Sequence, residues 1–363
     1  MISGPDRHCY RSRRGRIQVP VRFGRTTRLW LTSACAGALI AGALPYNTSI
    51  VRASETGTTT SRLAEFQNKE ERIYSIGYRL AVANAPFCEK RQSTIGLLMH
   101  DAQAYSDPVA VRSELRLSGD IGVQAVAPMS PAQKAGLRTN DTIVEINGKP
   151  VAEFPVSRKR KWERPAKVQA HLRSASQAGK VTIEWRSPEG DGGSTLLVPE
   201  LICASIFEVV SNNDKAVSDG ERVLIGDQFP GFAYSNDELA AAIAHEMAHN
   251  LLGHLDYFEI TRRKQSLVRL SERDADRLMP WLLANAGYDP EAAVRFMTRF
   301  GPRYGGGLLR KRTHDGWDER VEFIGAEVAR IGQLQDLMPL GNADWRKYFV
   351  PMLIVAEPSL DQE

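Results

Sequence analysis

A chain of 363 residues with 42% hydrophobic content is long enough for two domains of ordinary size, each able to bury a core. The formal net charge of +4 misleads, because residues 1–53 carry nine arginines against one acid, Asp6; that arm holds +8 and leaves the remainder at −4. A net acidic body gives no electrostatic reason to expect nucleic acid as a partner.

Behind the basic arm, residues 29–45 form an apolar run rich in Ala and Gly and closed by Pro45. The run is shorter than the roughly 20 residues of a spanning helix. Basic region, apolar stretch and small residues together match a secretory signal, cut after Ala43 or Ala53. An uncleaved membrane anchor is the alternative; a lipid-modified Cys35 fits less well, since Thr32-Ser-Ala-Cys35 is a poor lipobox. Either way the body is expected outside the cytoplasm, in the periplasm or cell envelope, touching a membrane only through this segment. Removing the leader takes Cys9 and Cys35 with it and leaves Cys88 and Cys203. An even pair in an exported protein predicts one disulfide, two unrelated buried thiols being the alternative.

Residues 54–61 are a polar linker. From Arg62 to Ala85, Leu63, Phe66, Ile73, Ile76 and Leu80 recur at near-helical spacing and predict one amphipathic helix. Between about Gly119 and Pro199 the texture turns to short β-type runs: Ile121-Gly-Val-Gln-Ala-Val126, Thr142-Ile-Val-Glu-Ile-Asn-Gly148, Val181-Thr-Ile-Glu-Trp185 and Ser194-Thr-Leu-Leu-Val198. Between the first two, Ser130 can cap a helix, Pro131 can take its first position and Gly136 can close it.

The pattern Val-x-x-Val-x-Pro-x-Ser-Pro-Ala-x-x-Ala-Gly-Leu137, followed by Asn140-Asp-x-Ile-x-x-Ile-Asn-Gly148, resembles a bacterial PDZ domain over roughly 80 residues. The resemblance implies a module that adds an extended peptide to a sheet edge and holds its terminal carboxylate on backbone N–H groups. Ile95-Gly-Leu-Leu98 and Leu117-Ser-Gly-Asp120 both offer themselves as the carboxylate loop, Asp120 being unwelcome beside a carboxylate. The run Arg158-Lys-Arg-Lys161 beside Trp162 reads as a solvated face, since Glu163 and an acidic body adjoin it.

Beyond Leu201 helical patterns dominate, preceded by a β segment in Phe207-Glu-Val-Val210 and a hairpin at Asp219-Gly220 leading to Arg222-Val-Leu-Ile225. A Cys88–Cys203 bridge would sit at the two mouths of the PDZ-like insert. Ser235-Asn-Asp-Glu238 is a capping-box signature opening a helix that contains His245-Glu-Met-Ala-His249. On a helix, positions i and i+4 point the same way, so both imidazoles can reach one ion while Glu246 faces a water on it. The ion lowers the pKa of that water; Glu246 takes the proton and later passes it to the leaving amine. The small residues Ala240–Ala244 and Ala248 suit a buried helix with polar groups only where an ion compensates them. Positions 252 and 255 are both Leu, so His254 is out of register for the arrangement in which a third His on the same segment completes the site. A carboxylate from a later helix is then required. Ser271-Glu-Arg-Asp-Ala-Asp-Arg277 offers Glu272 as ligand and, four residues on, Asp276 to orient a ligand His through its free ring nitrogen.

The capped helix, His-Glu-x-x-His, Glu-x-x-Ala-Asp and Ala286-Gly-Tyr-Asp-Pro-Glu-Ala-Ala293 together resemble the HtpX-like (BepA-like) family of gluzincin metallopeptidases over residues 203–330. That resemblance implies one zinc ion per chain and an active-site His from Thr313-His-Asp-Gly316, followed by Glu319-Arg320, with His314 stabilising the tetrahedral oxyanion; Asp315 stands where the family has Pro. It also implies that the strand at Val223-Leu-Ile225 lies beside the cleft and pairs with substrate backbone. The expectation is an α+β chain. Residues 54–117 and 201–363 form a mainly helical peptidase domain with a small edge sheet, interrupted by a PDZ-like insert at 118–200. Its function would be zinc-dependent cleavage of unfolded or envelope polypeptides, with a peptide ligand on the insert. The alternatives are a chaperone or scaffold on a protease fold, and a PDZ adaptor.

Overall fold

The computed structural model describes residues 61–261, 263–304, 315–335 and 343–353. The expected leader lies outside them, and among the described residues no helix is long and apolar enough to cross a membrane.

The first helix, α1 (Arg62–Asn84), starts where the Ser61 hydroxyl accepts the Ala64 N–H, and it buries Leu63, Phe66, Ile73, Ile76 and Leu80. There follow β1 (Arg91–Thr94), β2 (Leu97–Asp101), α2 (Pro108–Leu115), β3 (Ile121–Val126), α3 (Pro131–Lys134), β4 (Thr142–Ile146), β5 (Lys149–Pro150), α4 (Glu163–Gln177), β6 (Val181–Arg186), β7 (Gly192–Leu197) and β8 (Glu200–Cys203). One sheet runs β2-β3-β4-β6-β7, with β5 beside β4. Its core is Ile95, Ile121, Val123, Ile143, Ile146, Ile183 and the inner face of α4. Ser130 caps α3 and Gly136 ends it at φ +90°. The sheet takes β2 from ahead of residue 118. All five β2 residues are buried, including His100 and Asp101, so no alternation of polar and apolar residues marks it in the sequence.

The insert leaves the body through a narrow neck. There β1 pairs antiparallel with β8, Arg91 facing Cys203, and Cys88 is disulfide-bonded to Cys203 across 115 residues of chain. Beside the neck, the buried carboxylate of Glu70 on α1 accepts the Gln124 amide of β3 and the Val209 backbone N–H of the next strand. One side chain therefore ties the insert to the body.

The body begins with β9 (Ile206–Val210), β10 (Ala216–Ser218) and β11 (Arg222–Gly226), ordered β10-β11-β9. The expected hairpin joins β10 to β11 and is held by Asp219, whose carboxylate accepts the Glu221 and Arg222 N–H groups, while Gly220 supplies φ +93°. Here the structure corrects the family expectation: β11, which contains Val223–Ile225, is the central strand, and β10 is the edge. Val223 and Ile225 are fully buried and belong in the middle of the sheet, whereas β10 is half-exposed. Gly77 of α1 crosses β9 so closely that a Cβ there would lie 2.1 Å from the Phe207 ring. Among the described residues six helices follow: α5 (Asn236–Leu251), α6 (His254–Ile260), α7 (Gln265–Asn285), α8 (Glu291–Tyr304), α9 (Trp317–Gln335) and α10 (Trp345–Tyr348). Helix α5 runs through the centre against α1, α7 and α8, and its alanines let these helices approach closely.

Candidate metal centre and strand edges

The capping box at Ser235 fixes the start of α5: its Oγ accepts the Glu238 N–H, and the Glu238 carboxylate accepts the Ser235 N–H, each at 3.2 Å. Two and a half turns on, His245 and His249 lie on one face with their Nε2 atoms 3.3 Å apart. Helix α7 brings Glu272 against them, Oε2 standing 3.4 Å from His245 Nε2 and Oε1 3.7 Å from His249 Nε2. One donor atom from each of the three lies within 4.8 Å of the others. Bonds of about 2.0–2.1 Å in a tetrahedral set place ligand atoms about 3.4 Å apart, so the two nitrogens and the carboxylate fit an ion of zinc's size.

Helix α7 sorts its charges by face. Asp276, one turn beyond Glu272, puts Oδ1 3.0 Å from His245 Nδ1 and is itself gripped by Arg320 of α9 at 2.6 and 2.7 Å. Asp274, between them, turns away and accepts the backbone N–H groups of Met352 and Leu353. Arg273 pairs with Asp315 and Arg277 with Glu327. The acidic cluster is thus divided among three jobs.

The electrostatics follow from burial inside an acidic shell. Burial opposes a charge on His245, but hydrogen bonds to Asp276 and Glu272 outweigh it and lift the imidazole to about 10. Carboxylates that hold a proton there would equally favour a cation. Burial pulls His249 down to about 4 and His254 well below its usual 6.5, which keeps both neutral and fit to act as nitrogen donors or acceptors. Burial, reinforced by the charge of Glu272, raises Glu246.

These residues line a cleft of about 500 Å³. One wall is β10, where Lys215 O and Asp219 N bond to the β11 side, so Ala216 and Ser218 turn their backbone groups outward. Ser218 lines the cleft beside Glu246 and tempers the rise of its carboxyl. The opposite wall is aromatic: Phe229, Phe296 and Phe300, whose rings stack or tilt together at 5.1–5.7 Å.

His314 lies outside the described residues, whereas Asp315 is buried under Arg273. Three residues at the site carried no assigned role in the sequence reading: Ser218, Arg320 and His254. Ser218 arrives from an element distant along the chain and nothing local announces it; Arg320 belongs to the motif that carries the family resemblance, which gave it no role. His254 had a local signal in Gly253, whose φ of +64° ends α5 and turns the chain back so that His254 meets His249.

On the insert, the edge strand β2 faces α4, and Ile95-Gly-Leu-Leu98 leads directly into it; Leu117–Asp120 instead enters the interior strand β3, and Asp120 pairs with Arg112 and Arg164. The free side of β2 is engaged by Gln169 of α4: its Oε1 accepts the Met99 N–H and its Nε2 donates to Leu97 O, each at 3.4 Å. The basic run at 158–161 is an exposed loop, Arg160 paired with Glu163 and Lys161 donating to Tyr105 O.

Residues 122–186 match the family model of the PDZ domain, in the part of the chain that forms β3 to β6 with α3, α4 and β5. No curated protein matches the chain. The chain is therefore a mixed helix-and-sheet protein containing a PDZ-like module, joined by a disulfide-bonded neck to a helical body.

Proposed function

We propose that the chain is a zinc-dependent endopeptidase acting on extended or unfolded polypeptide. The observation that carries this reading is the convergence of His245, His249 and Glu272 beside Glu246 in a cleft walled by an open strand edge. Zinc bound there would act as a Lewis acid on the scissile carbonyl and on the attacking water. Glu246 takes that water's proton and returns it to the leaving amine, a task suited to a carboxyl whose pKa is raised. Ser218 orients Glu246 from β10. Asp276, clamped by Arg320, fixes the His245 ring with Nε2 toward the ligand position. The outward backbone of Ala216 and Ser218 pairs with substrate as an added strand. The Cys88–Cys203 disulfide supports residence in an oxidising compartment, so the substrates are envelope proteins.

The decisive experiment incubates unfolded protein with the wild type and with Glu246→Gln, each checked for bound metal. Expected are about one zinc per chain in both and a cleavage rate lower by about 10²–10⁴ in the variant. Equal cleavage by both removes the mechanism. A second reading, a PDZ adaptor, is favoured by the match over 122–186. It predicts peptide binding that survives chelation in a chain without turnover.

A further inference from the structure

We infer that His254 is a positioning residue of the metal centre, holding His249 by a ring-to-ring hydrogen bond so that His249 Nε2 faces the ion. This inference rests on the metal-centre reading above. Its geometry is direct: His254 Nδ1 stands 2.9 Å from His249 Nδ1, with the ring planes 74° apart and their centres separated by 4.9 Å. His249 Nε2 points at His245 Nε2 and Glu272, so its proton belongs on Nδ1. His254 must then accept at Nδ1 and carry its own proton on Nε2. That Nε2 is buried and has no partner among the described residues. Leaving a donor unpaired in a core costs about as much as a lost hydrogen bond, a cost a leucine or phenylalanine at 254 would avoid. The arrangement is explicable by what Nδ1 does for His249.

Charge explains why a neutral ring sits here while a carboxylate sits behind His245. With His245 neutral as a ligand, the carboxylates of Glu246, Glu272 and Asp276 face the guanidinium of Arg320, a balance that a divalent cation brings to zero. A further carboxylate behind His249 would leave the buried site with an uncompensated charge. A neutral imidazole orients the ligand without that penalty, and the turn at Gly253 is what delivers it.

The test titrates the whole chain with zinc against a competing chelator and records the visible spectrum after loading with cobalt(II). His254→Phe keeps a buried ring and removes the acceptor; it is expected to weaken zinc binding by about 10–100-fold and to alter the cobalt bands. Its metal-free thermal midpoint should change little, because the unpaired His254 Nε2–H leaves the core while the His249 Nδ1–H loses its acceptor. His254→Asn, whose Oδ1 takes the place of Nδ1 and can accept the same hydrogen bond, should recover most of the lost affinity. Equal affinity and an unchanged cobalt spectrum in His254→Phe overturn the role, as does an Asn variant no better than the Phe variant. A wild-type chain that binds no divalent metal overturns it too, together with the metal-centre reading. A wild type that binds metal beside an unaffected Phe variant overturns the positioning role alone.

Discussion

The insert and the body each bury a cluster of charges, and the two clusters balance differently. In the insert, Arg164 lies between Asp101 and Asp120, and Arg112 adds a second cation on Asp120. Burial still lifts Asp101 to about 6, while Asp120, despite burial, is held below its usual value by Arg164, Gln103 and Arg112. Two acids meet two guanidiniums, and nothing further is needed. In the body, Glu246, Glu272 and Asp276 meet the Arg320 guanidinium and the His245 imidazole, lifted to about 10 by its carboxylate partners against burial, beside His249, which burial keeps neutral. A buried excess of negative charge is costly unless a cation compensates it. The first cluster fastens a fold; the second leaves an excess of acid beside a cleft, which suits the proposed cation. The same contrast recurs in the backbone. The edge strand β10 leaves Ala216 and Ser218 open to the cleft, while the edge strand β2 is engaged by Gln169 of its own helix.

The contrast depends on two regions held together at one neck, and breaking the neck gives the largest expected effect on stability. The disulfide closes 115 residues of chain, so replacing both Cys88 and Cys203 by Ser should cost about 2–5 kcal/mol in urea unfolding followed by circular dichroism. A loss below about 1 kcal/mol would show that the β1–β8 ladder and the Glu70 bridge suffice to hold the neck. Next in size is the open edge. Ala216→Pro removes an outward N–H and leaves the hydrogen bonds to β11 in place. Losing one backbone hydrogen bond to substrate is worth about 1 kcal/mol. Cleavage of unfolded protein should therefore show KM raised about fivefold with kcat little changed. An unaltered KM would mean that substrate does not pair with β10.

The parts of this architecture that could be read from the sequence are those whose signals are local. Ser235 to Glu238 spell the capping box, Ser130-Pro131 and Gly136 bracket α3, and the spacing of His245 and His249 places two imidazoles on one face. Cysteine arithmetic gave the neck its disulfide. What escaped was set by packing between distant segments. Strand β2 hides its polar His100 and Asp101 by pairing and burial, so its membership of the PDZ-like sheet has no local mark. The exchange of β10 for β11 at the cleft edge turns on which strand is the more buried, a property of the assembled sheet. Arg320 reaches Asp276 across 44 residues and Ser218 reaches Glu246 from a strand edge, contacts that no periodicity encodes.

The smallest expected effect concerns the engaged edge. A peptide adding to β2 must take the Met99 N–H and the Leu97 carbonyl, the two groups that Gln169 already satisfies. Both contacts are long, at 3.4 Å, so they hold the groove closed weakly. Displacing them costs any peptide part of what its own main-chain bonds gain. Gln169→Ala abolishes that competition and leaves Val168 and Leu172, the apolar face of α4, in the core. Titration calorimetry with peptides bearing a free C-terminal carboxylate should show affinity rising about three- to tenfold in the variant, with binding insensitive to chelator. The same titration on Ala216→Pro should match wild type, because β10 belongs to the other region. An affinity that falls in Gln169→Ala would make Gln169 a ligand contact, and the closed edge of the insert would then be as ready for a strand as the open one in the body.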